Sequence, residues 1–212
     1  QAEASGADSI SIGTLSGASN THSIAIGDKA RAYGIDAIAF GASANATATN
    51  AMAVGRNARS TAGGSVAVGI NTEVTQINSV AMGATAKAYG DSAVSLGVDV
   101  VSRGHSAVAV GANADALAQS AVSIGDSTLA NAHNAVSVGI SSQATAERAI
   151  AMGDSTRATA WDGVAIGTAA KANATGAVAI GKDALANQEA GTAVGIGAEA
   201  TGQYAAAFGD VA

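Results

Sequence analysis

The chain has 212 residues and a formal net charge of −6, with 27 Gly, no Pro, no Cys, 3% aromatic and 12% charged residues. Leu, Ile, Val and Phe together number 39, about 18% of the chain, too few to fill an ordinary globular core, while the small net charge argues against disorder. The absence of Cys excludes a disulfide scaffold, a thiol enzyme and a zinc finger; no run approaches the ~18 apolar residues of a membrane helix; the acidic balance argues against a nucleic-acid partner; and residues 1–8 have no signal-peptide pattern.

In chain order, Ala2, Ala4 and Gly6 come first, and they fit the tail of a repeat whose beginning is missing. The chain is therefore expected to be a piece of a longer protein. From there Gly recurs every 14 residues, at Gly13, Gly27, Gly41, Gly55, Gly69, Gly83, Gly97, Gly111, Gly125, Gly139, Gly153, Gly167, Gly181, Gly195 and Gly209, with no insertion or deletion. A fixed period of this kind marks a repeat architecture. The position before each Gly is always apolar, from Ile12 and Ile26 to Val194 and Phe208. Three before it stands Ile, Val or Met until Thr192 and Ala206 break the rule. Two before it is Ala or Ser, and four before it is Ser, Ala or Gly.

Alternation with period two predicts two short strands per repeat. One is of the type Ser23-Ile24-Ala25-Ile26-Gly27, the other of the type Ala30-Arg31-Ala32-Tyr33-Gly34. Short polar connections separate them, such as Asp28-Lys29, Arg56-Asn57, Asp91-Ser92 and His133-Asn134. Helix is disfavoured by this alternation and by the frequent Gly. The economical solution is all-β: a parallel β-solenoid of about fifteen 14-residue coils, one repeat domain over residues 1–212, with equivalent residues stacked ~4.8 Å apart. The second strand has one wet face. The first has a large apolar face and a small uncharged one, so one face fills the coil and the other needs a further surface. That predicts a homo-oligomer, with the choice of face and the subunit number left open. Gly195-Ile196-Gly197 offers a second register near the end.

These columns resemble the head domain of trimeric autotransporter adhesins, the YadA-like family, whose head repeat has the form S-V-A-I-G-x-x-A-x-A-x-G. Residues Ser23–Gly34 and Ser79–Gly90 carry the pattern, and fifteen in-phase copies cover the chain. The resemblance implies a left-handed parallel β-roll assembled as a homotrimer with the apolar strands inward. It further implies a bacterial cell-surface adhesin, anchored in the outer membrane through parts outside this sequence, that binds extracellular matrix protein, host cell-surface molecules or other surfaces. The neck, stalk and membrane barrel of the family are absent from the sequence.

No chemistry competes with this reading. The unbroken period leaves no inserted loop to build a catalytic pocket, so no enzyme activity, cofactor or metal is expected. His105 and His133 share a column two coils apart, as do Asp126 and Asp154, too far for one metal ion. A calcium β-roll has a nine-residue repeat, not 14. Asn45-Ala46-Thr47 and Asn173-Ala174-Thr175 match the glycosylation pattern by chance. Four residues after the Gly lies a column with a basic lean, Arg31, Arg59, Lys87, Arg157 and Lys171, interrupted by Glu73, Asp115 and Glu199. With Trp161, which falls in a turn, these cations form the candidate adhesive surface; a merely solubilising face is the alternative. Val101, Leu117 and Leu129 are apolar on otherwise polar columns, as an exposed patch or a subunit seam. Two other functions remain: a non-adhesive spacer and an ice- or crystal-binding solenoid. The latter needs a Thr-x-Thr rank, and Thr47, Thr61, Thr75, Thr145, Thr159 and Thr201 fill only one column of it.

Overall fold

The computed structural model describes residues 1–210, in which short strands alternate with turns and bends and no helix occurs. It divides into two compact units, Gln1–Ser106 and Ala107–Ala212. Each unit is a parallel β-solenoid whose coils match the 14-residue period. In the first, seven three-residue strands from Ile10–Ile12 to Val94–Leu96 stack in sequence order, and eight two-residue strands from Glu3–Ala4 to Val101–Ser102 form the second sheet. The second unit repeats the plan, with strands from Val108–Val110 to Ala206–Phe208 facing those from Asp115–Ala116 to Glu199–Ala200. Register is constant: Ile24 pairs with Ile38 and Ile38 with Met52, each 14 residues on. The Ile24 amide donates to the Ala37 carbonyl at 2.9 Å, and the Ile38 amide to that of Ala51 at 2.9 Å.

Two turns close each coil, and each needs a left-handed residue. Lys29 (φ 56°) occupies the first, where the Ala30 amide donates to the Gly27 carbonyl at 3.2 Å. Asp36 (φ 54°) occupies the second, with the Ala37 amide on the Gly34 carbonyl at 3.3 Å. Asn, Asp, Ser and Gly tolerate this conformation and fill most such positions; Leu15, Thr85 and Tyr204 adopt it under strain.

The recurring Gly has a double requirement. All fifteen have φ between 121° and 140°, where L side chains rarely go. A Cβ on Gly139 would also lie 2.2 Å from the Gly153 carbonyl oxygen of the next coil. Stacked coils therefore touch backbone to backbone along this column.

The structure decides which face of the first strand points inward. Ala25, Ala39, Ala53 and Ala67 are fully buried, as are the facing Ala30, Ala44 and Ala58 and Ala32, Ala46 and Ala88. Ser, Ala or Gly four before the repeat Gly completes the lining. The coil is so thin that Val74 and Val100 are the largest fully buried side chains. Where a polar residue enters, it brings a partner. Ser137 meets Ser142 at 2.5 Å, Ser123 meets Thr128 at 2.8 Å, and Ser95 meets Ser102 at 2.8 Å. Burial of an unpaired hydroxyl is unfavourable, so these residues pair inside one coil, and a lone Thr donates instead to a backbone carbonyl, Thr72 to Gly83 at 2.6 Å and Thr156 to Gly167 at 2.7 Å.

The register suggested by Gly197 is not adopted. Thr192–Val194 pairs in frame with Val178–Ile180 and with Ala206–Phe208. Gly197 (φ 65°) takes the left-handed turn position, while Gly195 keeps the φ of its column, 133°.

Candidate interaction surfaces

The large apolar column faces outward. Ile24, Ile26, Ile38 and Met52 are only half-buried, and Phe40 and Met82 are exposed. In the second unit Val122, Val136, Ile150 and Val164 are half-buried, and Ile124, Met152, Ile166 and Ile180 are exposed. From Ile10 to Ile180 each coil thus shows two bulky apolar side chains to the outside of its own roll, whereas Thr192 and Ala206 leave the last two coils with one each, Val194 and Phe208. Each unit carries a contiguous apolar strip, the mark of an association surface.

The outer face of the two-residue strands carries the cations. Arg31, Arg59, Arg157 and Lys171 are exposed, and Lys87 is half-buried. They do not form one uniform column. In the first unit Glu73 stands in register between Arg59 and Lys87. Arg59 reaches its carboxylate at 3.4 Å. The Tyr89 hydroxyl donates to Glu73 Oε2 at 2.6 Å. Burial and that bond to an anion push the Tyr89 phenol up to about 12. In the second unit Arg157 and Lys171 are register neighbours, and neither has a carboxylate within ion-pairing distance among the described residues.

Trp161 lies on the turn rim, half exposed, and is already engaged. The Arg148 guanidinium sits over its ring, 5.0 Å from the centroid. Arg148 also donates to both carboxylate oxygens of Asp162, at 2.6 and 2.8 Å, and to Glu147 at 3.1 Å. Hydrogen bonding from Arg148 holds the Asp162 carboxyl below its ordinary range. Arg148 and Asp162 escaped the sequence reading, although their 14-residue spacing makes them column neighbours. The same signal joins His22 to Asp36, with Nδ1 and Oδ1 2.9 Å apart. His105 and His133 are exposed turn residues; the His105 ring nitrogen contacts the Ser106 hydroxyl at 3.0 Å. Val101, Leu117 and Leu129 are half-buried, not an exposed patch. Among the described residues no pocket and no metal-binding cluster of His, Cys, Asp or Glu is found.

The YadA head domain repeat, a model of two consecutive copies, matches ten segments, the first six overlapping: 4–30, 18–44, 32–58, 46–72, 60–86, 75–99, 102–128, 130–156, 158–184 and 186–212. The chain belongs to the YadA head family. The family is of the adhesin type, and the coil described above is its repeat. Among solved structures, the collagen-binding domain of the Yersinia adhesin YadA is 27% identical, with a TM-score of 0.47 over 64% of this chain and 68% of that one. No curated protein sequence gives a match.

Proposed function

We propose that this chain is the head of a bacterial surface adhesin and acts as a homotrimer, with the Ile, Val, Met and Phe columns of three copies meeting at the axis. One observation carries the reading: the bulky apolar side chains lie outside the coil, while Ala fills its interior. A lone copy would leave that strip in water. Burying it is worth up to about 1.5–3 kcal/mol for each side chain fully covered, less where it is already half-buried. The YadA head match supports the same assembly and the surface location, with the membrane anchor in another part of the protein.

The outward sheets then become the contact surface. Three copies present each weak contact three times, and simultaneous engagement raises avidity by ~10²–10⁴. The partners are extracellular matrix protein, host cell-surface molecules or other surfaces; Arg31, Arg59, Lys87, Arg157, Lys171 and Trp161 are the proposed contacts. Light scattering on the purified head tests the assembly, and binding to immobilised matrix proteins, cells and abiotic surfaces tests the function. A threefold mass with binding to any of these supports the reading. A folded trimer that binds nothing reduces the head to a spacer.

A further inference from the structure

We propose that Arg157 and Lys171 form a binding step for a linear sulfated polysaccharide on the outer sheet of the second unit. This rests on the adhesive reading above and names a ligand class for it. The two cations are in-register neighbours, one rung of ~4.8 Å apart, and both are exposed. Like charges directly opposite one another on a sheet are destabilising. Among the described residues this is the one place on the column where two cations stand side by side. Their other register neighbours are uncharged, Gln143 beside Arg157 and Leu185 beside Lys171. The nearest acid along the chain, Asp154, already accepts a hydrogen bond from the Ser155 hydroxyl at 2.9 Å.

The surroundings suit a sugar polymer better than a compact anion. Thr159 and Asn173 stand two residues beyond the cations on the same outer face, exposed, with Thr159 Oγ1 donating to Asn173 Oδ1 at 3.3 Å. These groups offer donors and acceptors to sugar hydroxyls. The face is an open sheet without a pocket, so it suits an extended chain rather than an enclosed ligand. A sulfate group offers the oxygen geometry that the planar guanidinium fork of Arg matches, and anions repeated along the polymer match cations on successive rungs. The first unit lacks this arrangement, because Arg59 already pairs with Glu73.

Retention of the purified head on immobilised heparin tests the proposal. The expected result is retention at physiological ionic strength, weakened about tenfold or more in the Arg157→Gln/Lys171→Gln double variant and unchanged in Arg56→Gln/Lys182→Gln, which removes the same charge from two exposed turns. Chemically desulfated heparin and hyaluronan should fail to compete. Because both cations are exposed and their mutual repulsion is removed, circular dichroism of the variant should match the parent and its melting temperature should be no lower. Equal retention of the double variant overturns the proposal, as does equal competition by hyaluronan or DNA. Absence of heparin binding alongside intact binding to matrix proteins, cells or abiotic surfaces overturns this step alone; absence of binding to all of them overturns the adhesive reading too.

Discussion

The hydroxyls of Ser137 and Ser142 lie 2.5 Å apart inside one coil, both fully buried. Each satisfies the other in a space that other coils, such as that of Ala165 and Ala170, fill with Ala alone. Ser137→Ala should therefore strand the Ser142 hydroxyl and cost about 1–3 kcal/mol. The double variant Ser137→Ala/Ser142→Ala recreates the Ala lining seen at Ala165 and Ala170 and should recover most of the loss. Chemical denaturation at fixed protein concentration reads the cycle. Equal losses in the single and double variants would show that the two hydroxyls are not coupled.

The Gly column predicts a sharp contrast between two glycines. Gly139→Ala combines a forbidden φ of 135° with a Cβ 2.2 Å from the Gly153 carbonyl oxygen. The expected cost is about 3 kcal/mol or more. At Gly191 an added Cβ meets the Gln188 carbonyl oxygen at 3.0 Å, with no positive φ. The same column holds buried Ala149 and Ala177, so Gly191→Ala should stay within about 1 kcal/mol of the parent. Thermal melts of both variants check this, and similar losses at the two sites would refute it.

The period, both strands, the parallel stacking and the turn positions were legible in the sequence because each leaves a column of one residue type. Residues such as Asn57, Asn71 and Asp99 mark left-handed positions by their chemistry. The inward face was not legible. Ile24 and Ile26 alternate with Ser23 and Ala25, and both faces are uncharged. What decides between them is the width of the coil, set by the two tight turns, which admits Ala and excludes Ile. The cationic column was legible as a list of residues but not as pairings. Glu73 is claimed by Arg59 and Tyr89 across coils, and the Arg148 cluster around Trp161 emerges only when residues 14 apart are placed side by side.

Neighbouring residues should therefore fail in opposite ways. Ala165 is fully buried, whereas Ile166 is exposed on the outer apolar strip. Ala165→Leu overpacks the coil and should lower stability by about 1–3 kcal/mol or more. Ile166→Lys leaves the coil intact but puts a charge on the proposed trimer axis. Circular dichroism should show retained β structure for Ile166→Lys while light scattering shows loss of the threefold mass. An unfolded Ile166→Lys head would contradict the outward placement of this column.

Tyr89 gives stability a dependence on alkaline pH. Burial and donation to Glu73 both favour the protonated phenol, and the folded pKa rises to about 12 from 10.0. A raised pKa contributes stability fully present below the unfolded value and lost as pH climbs through the folded one. The side chain is only partly covered, so screening limits the gain to no more than about 1 kcal/mol. The stability advantage over Tyr89→Phe should stay constant up to pH 10 and vanish toward pH 12. Tyrosinate absorbance in Glu73→Gln should show this phenol titrating earlier, and an unchanged titration would remove the carboxylate as a cause.

Arg148 and Asp162 set the opposite dependence. Asp162 is held ionised by two hydrogen bonds from Arg148, so its carboxyl titrates below the ordinary value of 3.8. The associated stability is present above that value and lost as pH falls through the folded one. Protonation also weakens the hold on the guanidinium that lies over Trp161. As the sole Trp, its fluorescence reports the event directly. Acid titration should show a fluorescence change with a midpoint below the usual Asp range, absent in Arg148→Gln, where the ring is uncovered at every pH. A midpoint at the ordinary value, or an unchanged titration in Arg148→Gln, would mean that Arg148 does not control this carboxyl.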